Sequence, residues 1–326
     1  MALLRGDDPA AIAAAARRLA DGGLVAFATE TVYGLGARAD SDAAVAAIFA
    51  AKGRPAGHPL IVHVAGLDQA AGFASRLPPA ALKLAQAFWP GPVTVIVPRA
   101  EGLASAAAGG QASIGLRCPA HPVAQALLRA AAALGVAGVA APSANRFGRI
   151  SPTRAAHVVQ EFGPALWVLD GGHSALGIES TIVDLSRGSP VLLRPGVLTR
   201  ATLEAVLGEP LHAPDRQSAR APGTLASHYA PTARLRLWPA AALADRLGRP
   251  DGLPKGVAVY SRRLANAVPG LQWRCMADNP LAAAHELFAV LRQLDGKGCS
   301  EIWVEQPPDD PAWDGVTDRL RRAAAP

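Results

Sequence analysis

Short apolar runs rich in branched and aromatic residues alternate with alanine-rich stretches of helical period through the first two hundred positions. Few architectures accommodate that alternation. LVAFA (24–28), LIVHV (60–64), VTVIV (93–97), SIGLR (113–117), VAGVAA (136–141), LWVLD (166–170), STIVDL (180–185) and VLLR (191–194) read as strands. Helical patterns fall at about Pro9–Ala20, Asp42–Lys52, Pro79–Phe88, His121–Ala133 and Thr153–Phe162. The first opens on Asp8-Pro9, an acceptor at the cap with proline in the first turn, and closes on Asp21-Gly22-Gly23. TETVYGLG, after the first run, reads as a polar, glycine-rich loop. The expectation is a large α/β domain with a mixed, twisted sheet.

From Gly208 to about Thr232 the periodicity stops and proline and small polar residues dominate, which marks a linker. Beyond it LRLW, GVAVY, LQWRC and EIWVE are short β-type runs. Between them the clearest helix, Leu281 to Leu294, carries an apolar stripe at Leu281, Ala284, Phe288 and Leu291. That order predicts a small parallel, Rossmann-like α/β domain. The expected division is 1–207, a 208–232 linker and 233–326.

Half of the 326 residues are hydrophobic and 18% are charged, the balance of a packed enzyme and not of a disordered tail. The formal charge of +6 suits an anionic partner. Only Lys52, Lys83, Lys255 and Lys297 are lysines, so a lysine beside an arginine is worth attention. Cys118, Cys275 and Cys299 lie far apart and in no C-x-x-C pair, which argues against a disulfide framework or a thiolate zinc site. The longest apolar run, Ala130 to Pro142, is glycine-broken, and charges precede any apolar stretch at the N-terminus. No membrane span or signal peptide is read, and a cytoplasmic protein is expected.

The chemistry concentrates where strands meet loops. No G-x-x-x-x-G-K-[ST] occurs, and Gly34 to Ala39, although in the position of a dinucleotide turn, lacks the acidic residue expected about twenty positions on. Side chains are the alternative way to hold phosphates. Lys52 and Arg54 stand two apart in K-G-R-P, offering a point charge and a planar fork; the same three letters also read as a helix C-terminus capped by Gly53. Alternation along 60–64 puts Ile61 and His63 on one face and Leu60, Val62 and Val64 on the other. Pro142 to Asn145 displays a hydroxyl and an amide at the end of a buried strand. Arg117, Arg194, Thr29-Glu30-Thr31 and Glu179-Ser180-Thr181 also sit at strand ends. So many polar groups at the ends of strands of one sheet point to a single anion site.

TETVYGLG, KGRP with HPLIVH, PGPVT, GLRCP, APSAN and LLRPG, in that order, resemble the YrdC family, and with the HYAP of the linker and the small second unit its long form, the threonylcarbamoyl-AMP synthases. The resemblance implies a YrdC-like catalytic domain that condenses L-threonine, bicarbonate and ATP, with Mg2+, to threonylcarbamoyl-AMP and pyrophosphate. It implies that Thr31, His63, Arg117, Ala141 and Ser180 surround threonine. Arg54, His58, Ser113, Ser143, Ser151 and Arg194 would hold ATP, Lys52 and Asn145 would complete the phosphate wall, and Tyr229 would reach back over the nucleotide. Magnesium would be held mainly by phosphates and water. Downstream tRNA threonylcarbamoyl transferase proteins are the implied partners, with weak direct tRNA contact. His58 stands where relatives often have asparagine, and Ala221 and Leu225 replace a serine and a lysine common in related linkers. An RNA-binding α/β protein is the reading of another class, disfavoured by aromatics of only 5%.

Overall fold

The computed structural model describes residues 3–249, 255–262 and 271–325. The first sheet has strands β1 Leu3–Arg5, β2 Val25–Phe27, β3 Gly34–Arg38, β4 Ile61–His63, β5 Val93–Pro98, β6 Ser113–Arg117, β7 Val139–Ala140, β8 Trp167–Asp170, β9 Thr181–Asp184 and β10 Val191–Arg194. Their order is β1-β8-β2-β3-β7-β4-β6-β5-β9-β10, with parallel and antiparallel pairs mixed. The helices of this domain are α1 Pro9–Ala20, α2 Asp42–Lys52, α3 Leu67–Phe73, α4 Pro79–Phe88, α5 Pro122–Ala133, α6 Ala155–Phe162 and α7 Arg200–Leu207. Asp8 caps α1 by accepting from Ala10 N, as its position before Pro9 suggested.

Alternation along the strands builds two apolar layers. Val25 and Phe27 pack with α1 and α5, whereas Ala26, Val62, Val95 and Leu116 face α2 and α4. Leu203 and Leu207 of α7 join the second layer. Over β4, β5, β9 and β10 the opposite face bears Ile61, Ile96, Ile182 and Leu193, and the residues covering it are Ala219 and Ala221 of the linker. One stretch departs from the expected loop, because Gly34–Arg38 is a strand between β2 and β7. Its glycines are packing devices: a Cβ on Gly36 would lie 2.8 Å from both Phe27 and Val139.

The second sheet, of β11 Arg234–Trp238, β12 Val257–Ser261, β13 Gln272–Cys275 and β14 Glu301–Glu305, has the order β11-β14-β12-β13 and is parallel throughout. It packs with α8 Ala240–Leu247, α9 Pro280–Asp295 and α10 Asp314–Ala324. Its core continues into the first domain: Val32, Ile150, Ile178 and the linker's Tyr229 belong to the same buried cluster as Phe288, Leu291 and Leu320. Among the described residues no helix is long and apolar enough to cross a membrane.

Candidate active site

The loops at the sheet face that the linker covers enclose a cavity beneath it. Parallel pairing of β4 with β6 sets His63 beside Arg117 in register, so both point to the face that also carries Ile61. Thr29 and Thr31 enter from the end of β2, Ala141 to Ser143 from the end of β7, Ser180 from the start of β9, Arg194 from the end of β10, and Arg54 from beyond α2. Gly223, His228 and Tyr229 of the linker close it. All five residues expected around threonine line this one cavity, as do Arg54, Ser143, Arg194 and Tyr229.

The cations are held in fixed directions. Arg117 donates to Glu30 Oε1 at 2.7 Å, to Thr31 Oγ1 at 2.8 Å and to the Gly91 carbonyl at 3.2 Å. Burial would raise the Glu30 carboxyl, but Arg117's charge and hydrogen bond hold it below the usual carboxylate range. Arg194 donates to the Ser180 carbonyl at 3.0 Å, to Ser180 Oγ at 3.1 Å and to Pro222 O of the linker at 2.9 Å. Ser180 Oγ is also 2.8 Å from Thr94 Oγ1. Arg54 donates to the Pro59 carbonyl at 3.0 Å and lies over the Phe147 ring; burial lowers it to about 10, so it stays charged at neutral pH.

Several polar atoms around the cavity have no protein partner: Arg54 Nε, His63 Nδ1, His228 Nδ1 and the Tyr229 hydroxyl. Buried groups left so are costly and rare, and four around one cavity mark a ligand site. Burial first, then Arg117, pushes His63 down to about 3, and burial likewise takes His228 to about 3. Both imidazoles are neutral at physiological pH and can donate or accept without adding charge.

Other candidates lie outside the lining. Gly53 is the left-handed C-cap of α2, and Lys52, buried with it, turns inward to donate to the carbonyls of Ser143, at 2.5 Å, and Asn145. Burial, with Arg54 second, lowers this ammonium well below its ordinary value. Lys52 thus braces the P-S-A-N turn. Asn145 Nδ2 donates to the carbonyls of Arg146 and Arg149 at 2.7 and 2.9 Å, which leaves Oδ1 free. Ser151 donates to Glu179 Oε1 behind the wall. His58 packs edge-on to Phe147, its pKa lowered by burial and by Arg54 and Arg220. Ser113 lines a smaller adjoining cavity that shares Ile61 and Pro222 with the main one.

Sequence reasoning named Glu179 only among the polar groups at strand ends, and assigned no role to His228 or Arg319. Arg319 comes from α10, is fully buried, and donates to Glu179 Oε2 at 2.8 Å and to the Glu179 and Pro195 carbonyls at 3.1 and 2.8 Å. Its guanidinium lies 5.4 Å from the Tyr229 ring centre. Nothing local in DRLRR distinguishes this arginine from its neighbours. Glu179, which lines the cavity, and Glu30, behind Arg117, are each engaged by an arginine, and no cluster of metal-ligating side chains occurs among the described residues.

Fold and site together define an α/β enzyme with an enclosed, cation-lined pocket for small anionic molecules. The Sua5–YciO–YrdC profile, described as telomere recombination, matches residues 17–196, and the profile of the threonylcarbamoyl-AMP synthase C-terminal domain matches 198–325. Threonylcarbamoyl-AMP synthases of Pyrococcus abyssi and Bacillus subtilis are 38% and 36% identical, over 95% and 96% of this chain and 93% and 92% of theirs. A crystal structure of P. abyssi Sua5 complexed with L-threonine superposes with a TM-score of 0.87 at 36% identity, covering 97% of this chain and 95% of that one. The chain belongs to the Sua5/YrdC family, in its two-domain form.

Proposed function

We propose that this chain is an L-threonylcarbamoyl-adenylate synthase, which joins L-threonine, bicarbonate and ATP to give threonylcarbamoyl-AMP, pyrophosphate and water. The observation that carries the reading is the convergence of Thr31, His63, Arg117, Ser180, Arg54 and Arg194 on one cavity whose polar atoms are partly unmet. The threonine amine and bicarbonate form a carbamate with loss of water. A carbamate oxygen then attacks the α-phosphorus and pyrophosphate leaves. Two anionic reactants must be brought together, so the protein's task is positioning and charge neutralisation more than proton abstraction. Arg117 with Thr31 and His63 forms the threonine end, and Arg54 and Arg194 face the phosphates. Magnesium would come with ATP and neutralise phosphate charge, held by the nucleotide and water more than by this chain, because Glu30 and Glu179 are committed to arginines.

With the linker in place the cavity offers about 50 Å3, room for a few waters and far too little for ATP. The 221–229 segment therefore withdraws to admit substrates and returns over them. The adenylate would then pass to a transferase that modifies tRNA, in the cytoplasm. Pyrophosphate release assayed with each substrate omitted in turn tests the reading. Release is expected only when threonine, bicarbonate and ATP are all present; release without threonine sinks it.

A further inference from the structure

A second cavity, of about 470 Å3, lies at the seam of the two domains and shares no lining residue with the first. The first domain contributes Arg154, His157 and His173; the second contributes Arg274, His285 and Arg292. Its carboxylate, Glu286, accepts at one oxygen, Oε1, from the Tyr260 hydroxyl and the Ala277 amide, both at 2.9 Å, neutral donors that direct it without cancelling its charge. Arg292 is neutralised by Glu161 at 2.8 Å. The other two arginines are not neutralised. Arg274 donates only to the neutral amide of Gln293, at 3.0 and 2.6 Å, which fixes its direction. The Arg154 side chain has no hydrogen bond or ion pair among the described residues, and the residue precedes α6 without capping it through that side chain.

The surroundings add donors without adding charge. Burial first and neighbouring cations second hold His157 and His173 down to about 4, with Arg154 acting on both. His173 Nε2 is buried without a partner. Solvated arginines on an arginine-rich chain would ordinarily spread into water. Here one from each domain shares a concave space with imidazoles whose protonation Arg154 opposes, and neither is paired with a carboxylate: the lining Glu286 is turned to Tyr260 and Ala277, so two unpaired guanidinium groups face a single acidic side chain. The volume falls within the roughly 300–1,000 Å3 usual for small-molecule sites.

We propose that this seam cavity binds a small phosphate-bearing anion, a di- or triphosphate, bridging Arg154 of the first domain and Arg274 of the second. Guanidinium forks match phosphate oxygens, and neutral imidazoles supply further hydrogen bonds. The proposal is independent of the reaction assigned to the first cavity. Calorimetric titration of the full chain with inorganic pyrophosphate tests it, alongside the Arg154→Ser/Arg274→Ser double variant and with the imidazole NMR signals of His157 and His173 as the local probe. Pyrophosphate can also enter the first cavity, so the reading is the binding event that the variant alters. A wild-type event that shifts those imidazole signals and weakens at least ten-fold in the variant, with turnover unchanged, is the expected result. Binding of equal strength and number in both proteins overturns the proposal. So does a wild-type titration that leaves the imidazole signals unmoved, or binding at these arginines by a short RNA but not by pyrophosphate.

Discussion

Arg117 and Glu30 form an ion pair in which both side chains are buried, and a pair of that kind matters most for what is left when one member goes. Arg117→Met would strand a carboxylate that the fold holds ionised, at a cost of about 3–5 kcal/mol. The Glu30→Gln/Arg117→Met double variant should lose less, because no buried charge remains; urea unfolding of the two decides. His63 and His228 make a pH prediction. Their folded pKa values near 3 lie below the unfolded value, so the unfolded chain binds more protons between about pH 3 and 6.5. Stability is therefore complete above that window and declines as pH falls through it, by about 2 kcal/mol per histidine on reaching pH 5. His63→Gln should flatten this decline in melting curves at pH 7.5 and 5.0; an unchanged slope removes His63 from the account. At this scale the sequence revealed which residues are polar at strand ends, but not their directions. Lys52 and Arg54 both read as phosphate ligands, yet only Arg54 lines the cavity, since the αL turn at Gly53 separates their paths and buries the lysine against Ser143 and Asn145.

Elements with strong periodicity were legible, as α1, α2 and α4 coincide with the helices expected and β6 and β10 with the strands. The strand β3 was not, because Gly34 and Gly36 signal a turn locally and their packing against Ala141, Phe27 and Val139 exists only in the folded sheet. The linker was legible as aperiodic chain, but its seat was not. What fixes that seat is a long-range match between Ala221 and the apolar patch of Ile61, Ile182 and Leu193, together with the Pro222 carbonyl on Arg194. Gly223 is the most sensitive point of this element. Its φ is +74°, and a Cβ there would come 2.2 Å from the Tyr229 hydroxyl and 3.0 Å from Arg194. Gly223→Ala should push the hydroxyl end of Tyr229 out of place while its ring stays in the core it shares with Phe288. We expect the melting temperature to change little and the nucleotide dissociation rate, followed by stopped flow, to rise about ten-fold, equivalent to about 1.4 kcal/mol. An unaltered rate would show that Tyr229 does not retain the nucleotide.

For the whole molecule, two α/β units and a connecting segment could be read from the changes of pattern, whereas their mutual packing could not, because no local signal encodes a core shared across a seam. Gly177 meets α9 so closely that a Cβ would lie 2.3 Å from the Ala284 carbonyl, and Gly315 of α10 would meet Gly196 O at 2.5 Å. This close approach carries Arg319 through to the back of the active-site wall, where one guanidinium holds Glu179 ionised against its burial and flanks Tyr229. The second domain thereby reaches the wall of the site: its Arg319 holds the carboxylate next to Ser180 and packs against the linker's Tyr229. Arg319→Met would expose this together with a large loss of stability, so Arg319→Lys is the sharper variant, since it keeps the charge but cannot reach Glu179 Oε2 and the Glu179 and Pro195 carbonyls at once. A positioning role predicts a raised KM for ATP, by about ten-fold, with kcat within a factor of about two, and partial recovery when Glu179→Gln removes the charge that lysine fails to satisfy, since about 1.4 kcal/mol accompanies each tenfold change. If Arg319→Lys lowers the melting temperature but leaves both kinetic constants as they were, the arginine only holds the domains together and the active site does not depend on it.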